Sequence, residues 1–119
     1  MSNNTDQLVE EGVLLVLVTC PMDQSEGIAS ALLESKLAVC INIIPRVKSF
    51  YRWQGKVQQD NESLMLIKCS SDNYRALEES ILDMHPYELP EIITVSVSGG
   101  LSDYLNWVLH PDKNKSEVT

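Results

Sequence analysis

The chain contains no apolar run near the ~20 residues that a membrane-spanning helix needs. Its apolar stretches, such as Val13 to Val18, have the length of strands. Basic residues are scarce: nine Lys and Arg stand against seventeen Asp and Glu, a formal net charge of −8. A surface of that sign repels phosphate backbones and anionic lipid, so neither nucleic acid nor membrane is an expected partner. Three cysteines, Cys20, Cys40 and Cys69, are an odd number without C-x-x-C spacing. That excludes a disulfide framework and fits a reduced, cytoplasmic chain. There is no G-x-S-x-G, no Walker loop and no G-x-G-x-x-G, and only two histidines, His85 and His110. Catalysis is therefore weakly supported, and no enzyme activity is expected.

At 119 residues the chain is one domain with a single two-layer core. Met1 to Glu11 is polar and acidic, has neither half of a signal peptide, and is expected to fray. The folded domain is placed at 12–110, and a polar, flexible tail at 111–119.

Val13 to Val18 reads as a buried central strand. Asp23 stands three residues before Glu26, the spacing of a capping box, and an amphipathic helix is predicted over Ser25 to Leu37. Val39 to Trp53 is long for one strand, and Pro45 should bend or bulge it near the middle. Gln54-Gly55 is a turn, after which Lys56 to Cys69 returns as a long hairpin. Ser71 or Asp72 caps a second helix that ends before Pro86 and presents Leu77, Ile81 and Met84. A strand over Ile92 to Val97 and a short helix over Ser102 to Leu109 complete the order. This is an α+β, ferredoxin-like βαββαβ plan with a C-terminal helix.

Two helices cover only one face of such a sheet, so its strands should alternate apolar and polar residues. Val13 to Val18 and Leu64 to Ile67 do not alternate. The second face is therefore apolar as well, and burying it requires another subunit.

The chemistry-bearing residues concentrate in His85-Pro86-Tyr87-Glu88-Leu89-Pro90-Glu91, a proline-stiffened segment holding an imidazole, a phenol and two carboxylates. Small acylphosphatase-type enzymes share the fold class but need an arginine after the first strand. Thr19-Cys20-Pro21-Met22-Asp23 has none. A two-residue turn at Gln54-Gly55 sets Cys40 opposite Cys69 unless the bulge at Pro45 changes the register. His85 is either an imidazole ligand or the partner of a free helix-end carbonyl. Trp53, near the hairpin tip, is either an intersubunit contact or the wall of a ligand cleft. Lys68, in an apolar strand, either pairs with a carboxylate such as Glu91 or faces an anionic ligand. Trp53, Lys68, Tyr87 and Glu91 are expected to line one cleft.

Ala38-Val39-Cys40-Ile41-Asn42-Ile43-Ile44-Pro45, Ser49-Phe50-Tyr51-Arg52-Trp53-Gln54-Gly55-Lys56, Glu62, Leu66-Ile67-Lys68, the segment His85 to Glu91, and Tyr104-Leu105-Asn106-Trp107 together resemble the CutA divalent-cation-tolerance family. The match runs from Val13 to Trp107. The resemblance implies a homotrimer of ferredoxin-like subunits, similar to trimeric PII signalling proteins that sense small molecules in clefts between subunits. It also implies tolerance or binding of divalent ions, copper especially, and no enzyme activity. Cys40 is the one cysteine within the family-like motif. Any metal site is expected at Cys40 and His85, whose thiolate and imidazole favour copper or zinc over magnesium or calcium. Three readings follow: a small-ligand sensor trimer, a metal-tolerance protein, and a structural interaction module.

Overall fold

The computed structural model describes residues 12–112. The segments expected to be flexible, 1–11 and all but the start of 111–119, lie outside the described residues. The expected order is present. β1 is Val13–Cys20, α1 Ser25–Glu34, β2 Cys40–Trp53, β3 Lys56–Ser70, α2 Tyr74–Met84, β4 Ile92–Ser96 and α3 Ser102–Leu109. The strands make one antiparallel sheet in the order β2-β3-β1-β4.

Antiparallel partners share a face, so the registers sort the sheet into two surfaces. Val16, Val18, Met65 and Ile67 turn toward α1 and α2 and are fully buried against Ile28, Leu32, Leu77 and Ile81. Leu15, Leu17, Leu64 and Leu66 turn the other way and are half-buried. Ile44, Ile93 and Val95, on that same open face, are 44%, 50% and 46% exposed. α3 lies against β3 and β1 at one end of the open face, where the Tyr104 hydroxyl meets the Cys40 thiol.

β1 pairs only with Ser63 to Ser70 of β3, so the rest of the hairpin runs on as a two-stranded ribbon. At its tip Gln54 and Gly55 take φ of 52° and 81°, the pair of positive values that a tight hairpin turn requires. The bulge expected at Pro45 is present. Ile44 pairs with Leu64 and Val47 with Glu62, so Pro45 and Arg46 together face one residue, Ser63. Arg46 absorbs the extra length in the left-handed region, at φ 58°.

That extra residue changes the pairing at the root of the hairpin. Cys40 faces Lys68, not Cys69. The two thiols consequently lie on opposite faces, Cys69 in the core and Cys40 on the open side.

Helix termini also depart from expectation. Asp23 does not cap α1; it lies in a turn closed by the Gln24 N–H on the Pro21 carbonyl at 3.0 Å, and the helix begins at Ser25. α1 stops at Glu34 because Lys36 turns left-handed, at φ 65°. The Leu37 and Lys36 N–H groups then reach back to the Leu32 and Leu33 carbonyls at 3.0 and 3.1 Å. Before α2, the capping oxygen is that of Ser70, which accepts from the Asp72 N–H at 3.1 Å and starts a 3-10 turn over Ser71–Asn73.

Candidate functional site

The segment after α2 folds over the open face where the ribbon leaves the sheet. Pro86 disfavours helical backbone at the residue before it, and His85 adopts φ −77°, ψ 134°. The His85 N–H still closes the helix on the Ile81 carbonyl at 2.8 Å. The ring is then clamped at both nitrogens. Nε2 lies 2.7 Å from the Thr19 carbonyl, and Nδ1 accepts the Tyr87 N–H at 3.2 Å. With Nδ1 accepting, Nε2 is the nitrogen that donates to the Thr19 carbonyl. His85 thereby ties the end of α2 to the end of β1 and sets the course of the loop.

Tyr87 follows with its ring 4.8 Å from the imidazole, tilted by 60°. Its hydroxyl donates to Glu62 Oε2 at 2.9 Å, although Glu62 is only 4% exposed. Burial, reinforced by this bond, pushes the Tyr87 phenol well above its ordinary pKa. Two more hydroxyl–carboxylate pairs flank it. Thr19 Oγ1 donates to Glu91 Oε1 at 3.5 Å, and the Tyr51 hydroxyl donates to Asp60. The Tyr51 phenol is also shifted upward, mainly by its bond to Asp60.

Around these groups lies a cavity of about 810 Å³. Its walls are Thr19, the ribbon residues Lys48 to Trp53, Asp60 and Glu62, and the loop residues Pro86 to Leu89 with Glu91. That volume suits a small organic molecule. Beneath it, Cys20 is sealed from solvent with its thiol 3.7 Å from the Met65 sulfur. Burial, then Glu62 and Asp23, push the Cys20 thiol up to about 11, so it stays protonated and inert at neutral pH.

The structure brings Trp53, Tyr87 and Glu91 to one cavity, but Lys68 does not line it. Lys68 faces Leu15 on β1, whereas Glu91 bonds to Thr19. Four strand residues, ~13 Å, separate those rows. The Lys68 ammonium donates instead to Asn42, and the expected pair with Glu91 does not form within the chain. Cys40 and His85 are likewise apart, Cys40 in the Lys68 row with Tyr104 and His85 on Thr19. Among the described residues, no group of three or more His, Cys, Asp or Glu is placed to hold a metal ion.

Asp60, Glu62 and Thr19 were not among the expected cleft residues. The hairpin register held the signal for two of them. Counting back from Gln54-Gly55 puts Asp60 opposite Ser49 and Glu62 opposite Val47, on the ribbon face of Tyr51 and Trp53.

Comparison with known proteins agrees over nearly the whole described region. The family model described as CutA1 divalent ion tolerance protein matches residues 14–110. A CutA homolog of Xenopus laevis is 41% identical over 105 residues, 87% of this chain and 70% of that protein. The solved structure of the divalent cation tolerance protein Cut A1 from Thermus thermophilus superposes with a TM-score of 0.80 at 40% identity, covering 82% of this chain and 95% of that one. The PII-like protein CutA from Nostoc sp. PCC 7120, in apo form, superposes at 0.77 with 33% identity, covering 81% and 93%.

Proposed function

The chain belongs to the CutA1 divalent ion tolerance family, and on that premise we propose that it is a PII-like homotrimer binding a small ligand in clefts between its subunits. The open face of the sheet carries this reading. Leu15, Leu17, Leu64 and Leu66 are half-buried there, and Ile44, Ile93 and Val95 stand about half exposed, an apolar surface that other copies would cover. The cavity of about 810 Å³ lies at the edge of that surface, so a neighbouring copy would help to enclose it. The protein is read as a binding protein rather than an enzyme. Three free cysteines favour a reducing, cytoplasmic setting. Light scattering tests the assembly: a trimer at micromolar concentration is expected, and a folded monomer overturns the proposal. Native mass spectrometry of protein purified without added metal tests for a retained small molecule.

Response to divalent ions, copper foremost, enters the proposal through the family. Calorimetry with Cu²⁺ and Zn²⁺ on wild type, Cys40→Ser and His85→Ala tests a direct site. A tenfold loss of affinity in either variant supports one, and equal binding by all three proteins removes it. Both imidazole nitrogens are already engaged, which favours the small-ligand reading over a direct metal site.

A further inference from the structure

We propose that the cleft takes an extended organic cation carrying several N–H donors, a polyamine or guanidino compound whose separate cationic groups meet Glu62, Asp60 and Glu91 against an aromatic wall of Trp53 and Tyr51. This deepens the cleft reading and rests on it. Three carboxylates at the cavity are each met by one hydroxyl: Glu62 by Tyr87, Glu91 by Thr19 and Asp60 by Tyr51. A carboxylate offers about four lone-pair sites, so each retains capacity to accept. Among the described residues none of the three forms an ion pair with a Lys or Arg; Lys36 pairs with Asp112 far along the chain. Glu62 is the decisive member, because it is 4% exposed, borders the cavity, and among the described residues is met by a neutral phenol and by no cation. Burying a carboxylate without an opposite charge is costly, and a cationic ligand would offset that cost.

The remaining lining agrees. Tyr51, Trp53, Asp60 and Glu62 share one face of the ribbon, as the register and the Tyr51–Asp60 bond show. Lys48 and Arg52 also border the cavity, but they occupy the alternate positions of β2 and belong to the ribbon's other face. Trp53 and Tyr51 are 40% and 41% exposed, leaving their rings open to a cation. A bare divalent ion fits poorly. Such ions need several converging ligands, which the described residues do not supply, and the cavity of about 810 Å³ is far larger than an ion. Of this chain's charged lining residues four are acidic, Asp60, Glu62, Glu88 and Glu91, and two are basic, Lys48 and Arg52, so the balance disfavours an anion.

The experiment is a titration of the full chain with spermidine, read by calorimetry and by Trp53 fluorescence in a Trp107→Phe background. Saturable binding of one spermidine per chain is expected, weakened at least tenfold in Glu62→Gln and in Trp53→Ala. Asp112→Asn, remote from the cavity, should bind as wild type does. Circular dichroism checks the fold of Glu62→Gln, and Glu91→Gln, at an exposed position, provides a second acidic variant. Equal spermidine affinity in wild type and both acidic variants overturns the proposal, as does equal competition by Mg²⁺ at matched charge. Binding of the dianion glutarate in place of spermidine, with quenching of Trp53, overturns the cation class while the cleft itself stands. If neither probe perturbs Trp53 and native mass spectrometry finds no retained molecule, the class and the cleft fall together.

Discussion

Val16 and Leu17 are neighbours of similar character on one strand, as are Leu66 and Ile67 on the next, yet each pair divides between two environments. Val16 and Ile67 are completely buried beneath α1 and α2, whereas Leu17 and Leu66 face the open side and are only half-buried. The covered face is finished within one chain; the open face has the composition of a core without the depth of one. Hydrophobicity alone does not distinguish them, because burial depends on what lies across the gap. Polar chemistry follows the same division. The hydroxyl–carboxylate pairs lie at the margin of the open face, and the covered face holds the sealed thiols of Cys20 and Cys69.

The sharpest way to break this contrast is truncation on the covered face. Ile67→Ala should cost about 2–5 kcal/mol in a urea melt, with the assembly state of the folded protein unchanged. On the open face, Leu66→Lys should act on assembly, displacing the association equilibrium at least tenfold, about 1.4 kcal/mol, by light scattering across a dilution series. If Leu66→Lys leaves assembly untouched, the open face is not an interface.

At the margin between the faces, Tyr87→Phe removes the hydroxyl that meets Glu62 and should destabilise by about 1–3 kcal/mol in thermal melts. The covered thiols add a pH signature. Cys69 and Cys20 are raised from 9.0 to about 11, Cys69 by burial alone. A raised folded-state value means that the folded protein holds its proton after the unfolded chain has released it. The thiol contribution to stability is therefore fully present below pH 9 and is lost as pH rises to about 11. Tyr74 and Tyr87 shift in the same direction and extend the loss at the alkaline end. Denaturant midpoints measured from pH 7 to 11 should stay level and then fall; a rise above pH 9 contradicts the assignment. The smallest effect belongs to the ribbon tip. Gln54→Asn should gain roughly 0.5 kcal/mol, because asparagine tolerates the positive φ better than glutamine.

Much of the fold was legible because the dominant signals were local. Non-alternating strands, two prolines around Tyr87 and the Gln54-Gly55 turn each act within a few residues, and the element order follows from them. Helix ends were less so, since Lys36 ends α1 in a conformation that glycine usually takes. The site was legible in part. Tyr87 and Glu91 stand out within their stiff segment, but Thr19 joins them only after tertiary pairing places β1 beside β4. Lys68 departs from expectation for a related reason: its nearest oxygen, on Asn42, comes from the strand whose register the bulge has moved.

The extra residue at Pro45-Arg46 works as a parity switch. Strand side chains follow an odd–even rule, and inserting one residue reverses the rule for everything before it. From Val47 outward, odd positions of β2 share the face of Glu62; from Ile44 inward, even positions do. One unbroken strand thereby sends Ile41 and Ile43 into the core while aiming Tyr51 and Trp53 at the cleft side. Removing Arg46 would restore a single parity. The registers on both sides would stand, with Pro45 alone opposite Ser63 and Cys40 still opposite Lys68; flattening the bulge with Arg46 kept would instead slip the root by one residue, bringing Cys40 opposite Cys69 and pulling Ile41 and Ile43 out of the core.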